Sequence, residues 1–152
     1  MPRTVHVVVT GSRTFRDRTQ VAEALEASRE GYDAMVVLVT DAGGAAAVAH
    51  EYTEHLGDTS VTCQRFHPGW DDPCTRGCRR GHRRTRADGT TFCPGAGPRC
   101  HQWLVDTVAR HVYDKSVVCL AFYARPRDDL ADDMVLRATA AGIPVVRYGV
   151  PR

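Results

Sequence analysis

Apolar residues along the chain fall into short β-branched runs separated by helix-patterned stretches. Val5 to Val9 (VHVVV) and Met35 to Val39 (MVVLV) read as strands buried on both faces, as does Val117 to Phe122. Val61 to Phe66 alternates in the manner of a third strand, and Val145 to Tyr148 follows Pro144 as a closing one. Between these runs, Asp17 is placed to cap a helix with Val21, Ala22, Ala24 and Leu25 on its inner stripe, and Gly31 stops it. Ala45 to Leu56 is rich in helix formers, Trp103 to Val112 reads as a helix, and a last helix runs from Asp129 to Ala141 before Gly142. Strands alternating with helices predict an α/β fold, a Rossmann-like three-layer domain with a parallel sheet. The whole chain, 1–152, reads as a single such domain with an insertion at 68–100.

That insertion breaks the alternation. Pro68 to Cys100 has no apolar period, is full of Gly, Pro and Arg, and is longer than the loops of compact domains usually are. Such a segment needs a function or a staple, and its sequence offers one. Cys74, Cys78, His82 and Cys93 stand in a C-x3-C-x3-H-x10-C spacing. Thiolates plus an imidazole suit tetrahedral zinc, and four protein ligands leave no open position, so the expectation is a closed structural site in a zinc-knuckle-like loop. Gly77, Gly81 and Gly89 suit its turns, and metal would supply the ordering energy that apolar residues do not. Cys100 and His101 are competing ligands. Cys63 and Cys119 lie in apolar runs and read as buried thiols.

Composition narrows the classes. With 152 residues, 43% of them hydrophobic, there is material for one core, and a formal net charge of +2 with 25% charged residues excludes a histone-like or strongly acidic protein. No run approaches the length of a membrane span, and the N-terminus passes directly into a strand, so a cytoplasmic protein without a membrane partner is expected. Of 20 basic residues only Lys115 is not arginine, a sign of coding bias. Seven arginines (76, 79, 80, 83, 84, 86 and 99) face one aspartate, Asp88, between Cys74 and Cys100, a local surplus of six beside a remainder of −4.

Two βα loops are candidates for ligand binding. Thr10-Gly11-Ser12-Arg13 follows the first strand, where open α/β sheets bind ligands; Gly11 allows close backbone approach, Ser12 offers a hydroxyl and Arg13 a forked anion contact. Asp41, Gly43 and Gly44 occupy the equivalent loop after the second strand. Trp70 and Asp71 stand where the insertion begins, Trp70 with a ring able to stack on a base.

Several motifs in order carry a family resemblance: VTGSRTF with Asp17, TDAGG opening a helix, Trp70-Asp71, AGPR before a helix with Val105-Asp106, VCLAF, and a late AGIPV. Together they resemble the SLOG superfamily, nearest the YspA/cpYpsA-related proteins with the DUF2493 domain of bacterial and phage genomes. Some of those proteins carry a similar Cys- and His-containing insertion. The resemblance implies a Rossmann-like fold and binding of a nucleotide or nucleotide-derived ligand. Some superfamily members, the LOG proteins, hydrolyse nucleoside monophosphates to base and ribose phosphate.

This chain departs from the pattern in its ligand contacts. Gly43 to Val48 lacks the Arg and Asp common in relatives, Cys100-His101 stands where Arg-Asn is frequent, and Tyr123 to Asp129 replaces the Gly-rich loop that carries the hydrolases' catalytic Glu. No catalytic residue is assigned, and the expectation leans away from an enzyme. The leading expectation is therefore a nucleotide-ligand binder with structural zinc. A phosphoribohydrolase using Asp41, Asp71 or Asp128 is the second reading. Nucleic-acid binding through the arginine-rich loop is the third, set back because Phe92 and Trp103 are not interleaved with the arginines. A homo-oligomer stays open. His6, His50, His55, His67 and His111 belong to no motif.

Overall fold

The computed structural model describes residues 2–74 and 77–149. Its five main strands are β1 (Thr4–Gly11), β2 (Ala34–Thr40), β3 (Val61–Phe66), β6 (Val117–Tyr123) and β7 (Val145–Gly149). They form one all-parallel sheet in the order β3-β2-β1-β6-β7. The helices are α1 (Arg18–Arg29), α2 (Gly44–Leu56), α3 (Ala96–Val108, continued by a 3-10 turn to Val112) and α4 (Asp129–Ala140).

The pleat of the sheet divides its side chains between two cores. Val7, Val9, Val37, Val39, Leu120 and Phe122 meet Leu25, Ala45 and Ala49 of α1 and α2 on one face. Val8, Leu38, Val117 and Cys119 meet Leu104, Val105, Val108 and Met134 of α3 and α4 on the other. The architecture is thus a three-layer α/β fold of Rossmann-like strand order. The chain runs outward from β1 to β3 and returns to β6 beside β1, so the switch point of the topology lies between β1 and β6.

Local chemistry explains the ends of these elements. The Asp17 carboxylate accepts from the Gln20 amide (3.0 Å) and starts α1, and Asp128 accepts from Ala131 (3.1 Å) to start α4. The principal correction to the sequence reading is α3, which begins at Ala96 and not near Trp103. Its AGPR opening resembles a loop in composition. Pro98, however, lies in the first turn, where the missing N–H removes no intrahelical bond.

The insertion joins β3 to α3 across the carboxyl edge of the sheet and contains a small antiparallel hairpin, β4 (Arg84–Thr85) and β5 (Thr91–Phe92). Two-residue strands have no readable period, so this hairpin was invisible to patterning. Gly89, at φ 86°, makes its turn. No helix of the described residues is long and apolar enough to cross a membrane.

Candidate metal centre and ligand cleft

Cys74, Cys78 and His82 come from the irregular first half of the insertion, and Cys93 follows β5. Their ligand atoms all lie within 4.8 Å of one another. His82 Nε2 is 3.3 Å from Cys74 Sγ and 3.0 Å from Cys93 Sγ, and the Cys78 and Cys93 sulfurs are 3.8 Å apart. A tetrahedron with Zn–S bonds of ~2.3 Å has S···S edges of ~3.8 Å, so the sulfur spacing suits such an ion.

The imidazole tautomer follows from its other nitrogen. His82 Nδ1 is 2.6 Å from the Arg79 carbonyl, which only accepts, so Nδ1 carries a proton and Nε2 is the nitrogen turned to the sulfurs. Arg83 Nη1 donates to Cys74 Sγ (3.2 Å), and Arg99 donates to Cys78 Sγ (3.2 Å) and Cys93 Sγ (3.3 Å). The Cys93 thiol is held down at about 5, first by its hydrogen bond with His82 and next by Arg99, so it is a thiolate at neutral pH. The arrangement is a Cys3His donor set at metal-binding distance, braced by two guanidinium groups.

The competing ligands point elsewhere. Cys100 is buried in the core beneath α3, where desolvation pushes its thiol up to about 11. His101, 2% exposed, places Nδ1 2.6 Å from the Asp133 carboxylate of α4, which Arg137 also contacts at 2.9 Å. Cys119 is fully buried with its thiol raised to about 12, and Cys63 is partly buried with its thiol also raised by burial.

The two glycine loops meet at the carboxyl edge. A Cβ on Gly44, whose φ is 55°, would fall on the Ser12 carbonyl, and one on Gly11 would fall on the Phe122 carbonyl and against Ala45. Both glycines therefore admit neighbouring protein backbone. The Ser12 hydroxyl is buried and accepts from the Ala124 amide (3.0 Å), linking the loops after β1 and β6 across the switch point. Arg13 is exposed, and its guanidinium has no partner among the described residues. Gly43 has a φ of 73° with open space where its Cβ would be, and it gives α2 no side-chain cap. The neighbouring cleft, about 140 Å³, is lined by Thr40, Asp41, Gly43, Ala47, His50 and Arg65 among others.

The carboxylates a hydrolase could use are all engaged. Asp41 pairs with Arg65 (2.9 Å) and His67 (3.2 Å), and the Arg65 hydrogen bond leads in holding it below the usual carboxylate range. Asp71 pairs with Arg86 at 2.6 Å, and Asp128 caps α4. Trp70 is half-buried, its ring filling the space beside Gly97 and meeting the edge of Phe92. The Trp70-Asp71 segment therefore joins the knuckle to the start of α3.

Sequence reasoning missed one pair. His6 of β1 and His111 stack at 3.8 Å between ring centres, and the buried His6 Nδ1 has no hydrogen-bond partner among the described residues. The two residues are 105 positions apart, with no shared motif to join them.

No protein-family model matches the chain, and no curated protein does. Among solved structures it is similar to the crystal structure of Acinetobacter baumannii MurG, with 16% identity and a TM-score of 0.49. The match covers 95% of this chain and 35% of that one, so the chain spans about a third of that protein's length.

Proposed function

We propose that the protein binds a nucleotide or nucleotide-derived ligand at the carboxyl edge of its sheet, and that a structural zinc holds the insertion beside that site. The observation that carries the reading is the bare N-terminus of α2, packed against the β1 loop with unpartnered Arg13 beside it. All helices of a parallel sheet begin near this edge, but the uncapped start of α3 is covered by the Arg99 guanidinium at Gly95 and the Trp70 ring at Gly97. The helices α1 and α4 start on aspartates, and α4 adds Asp129 and Asp132 in its first turn. Those acids oppose an anion. The first amides of α2 face no such competitor and offer the site for a phosphate, with Arg13 as its second contact.

In this reading Gly11, Ser12, Gly43 and Gly44 set the backbone of the cradle. Asp41 lines the cleft behind it, and Trp70 and Asp71 form the rim. The cleft is smaller than the ~300–1,000 Å³ of pockets that enclose a whole drug-sized ligand, so it takes one moiety of a nucleotide while the rest lies along the edge. The motif resemblance to the SLOG superfamily, nearest its YspA/cpYpsA-related group, implies such a ligand. With Asp41, Asp71 and Asp128 all engaged, binding is favoured over phosphoribohydrolase activity.

Calorimetry against mono-, di- and cyclic nucleotides and NAD-related compounds tests this. At least one is expected to bind, and Arg13→Ala to weaken it about tenfold, the scale of one charge-assisted contact. A folded protein that binds none of them overturns the proposal. For the metal, protein purified without chelator should carry one zinc per chain by elemental analysis; its absence would refute that half.

A further inference from the structure

The hairpin in the insertion rearranges its arginines in a way their sequence order conceals. Arg83 and Arg99 are directed to the thiols of the metal group. Arg79, Arg80 and Arg84 are exposed, and their guanidinium groups have no hydrogen bond or ion pair among the described residues. Arg84 stands opposite Phe92 in the β4–β5 register, so their side chains share one face of the hairpin, the face opposite that of Arg83. Arg86, two residues along from Arg84, pairs with Asp71 at 2.6 Å and lies over the Phe92 ring at 4.9 Å, and the Phe92 ring in turn meets Trp70 edge-on at 6.2 Å.

The fold thus builds an alternation of basic and aromatic groups, Arg84, Phe92, Arg86 and Trp70, that the linear sequence does not contain. Guanidinium planes and aromatic rings are surfaces on which unstacked bases stack, and free arginines beside them meet phosphates. The metal group would not offset this charge, since a divalent ion with three thiolates carries −1 and Arg83 and Arg99 already face it. We infer that the Arg84–Phe92 face of the knuckle hairpin, with the exposed Arg79 and Arg80, is a contact surface for single-stranded nucleic acid, read through stacking and backbone phosphates and not through base edges.

Fluorescence anisotropy on the whole zinc-loaded protein tests this, with a labelled 15-nucleotide single strand, a duplex of equal length, and an abasic strand of equal length. Three phosphate contacts predict that log K falls with log salt at a slope of about −2 for the single strand. The triple variant Arg79→Ala/Arg80→Ala/Arg84→Ala should lose most of the affinity while keeping its zinc content. Arg147→Ala, on β7, serves as the charge control and should bind normally. The abasic strand should bind about tenfold more weakly, the scale of one lost stack. No binding to the single strand at low salt overturns the inference, as does equal binding of the triple variant. Preference for the duplex, or equal binding of the abasic strand, overturns the stacking face.

Discussion

At the scale of single residues, Gly43 and Gly44 look interchangeable in sequence and are not. Gly43, at φ 73° and ψ −162°, occupies an extended region open essentially to glycine alone but has open space around it, so Gly43→Ala carries only that backbone cost, about 1–3 kcal/mol. Gly44→Ala adds a clash with the Ser12 carbonyl and should cost more, about 2–4 kcal/mol, while pushing the β1 loop away from α2. Urea denaturation of the two variants should show that order, and Gly44→Ala should weaken nucleotide binding through displaced backbone. The His6–His111 stack supplies a second residue-scale test. Burial leads in pushing His6 down to about 4, with His111 and Arg110 adding repulsion, and burial also lowers His111, against the opposing pull of Asp114. The unfolded chain therefore binds more protons than the folded one between about pH 6.5 and pH 4. Stability from this pair is present above that window and is lost as pH falls through it. His6→Phe keeps a ring against His111 without titrating, and should flatten the decline in urea midpoint between pH 7 and pH 4.5.

Elements differ in how far the sequence announces them. The runs at Val5 to Val9 and Met35 to Val39 are legible because strands buried on both faces must be apolar throughout, and the aspartate caps of α1 and α4 mark their helices equally plainly. The start of α3 was hidden because Gly97 and Pro98 suit a first helical turn as well as they suit a loop. The hairpin was hidden because its four strand residues have no core to pattern against. The metal group was legible as a spacing, since Cys and His in a polar stretch have few other uses; choosing it over Cys100 and His101 required knowing that α3 turns those two into the core. Arg76, counted with the basic surplus, lies outside the described residues. Cys78→Ser should loosen the insertion while sparing the sheet. Limited trypsin digestion should then cut between Arg79 and Arg86 at least tenfold faster than in the parent protein, with far-UV circular dichroism little changed.

For the whole molecule, the two cores stand differently toward the Cys3His group. The α1–α2 face is closed by strands and helices that do not involve the insertion, whereas α3 on the other face is entered directly from Cys93. Chelation should therefore raise hydrogen exchange in α3 more than in α1 or α2, and equal exposure of both faces would contradict this division of labour. The placement of the metal group also has a kinetic side. From the end of β3 to the start of α3 the chain crosses roughly thirty residues, and closing a loop of that size is an entropic cost that β3 and α3 must overcome together. A metal that ties Cys74 to Cys93 removes most of the intervening chain from that search. Such an ion would act as a shortcut in contact order, so a metal-loaded chain should dock α3 faster than the metal-free chain, even where the final folds are the same.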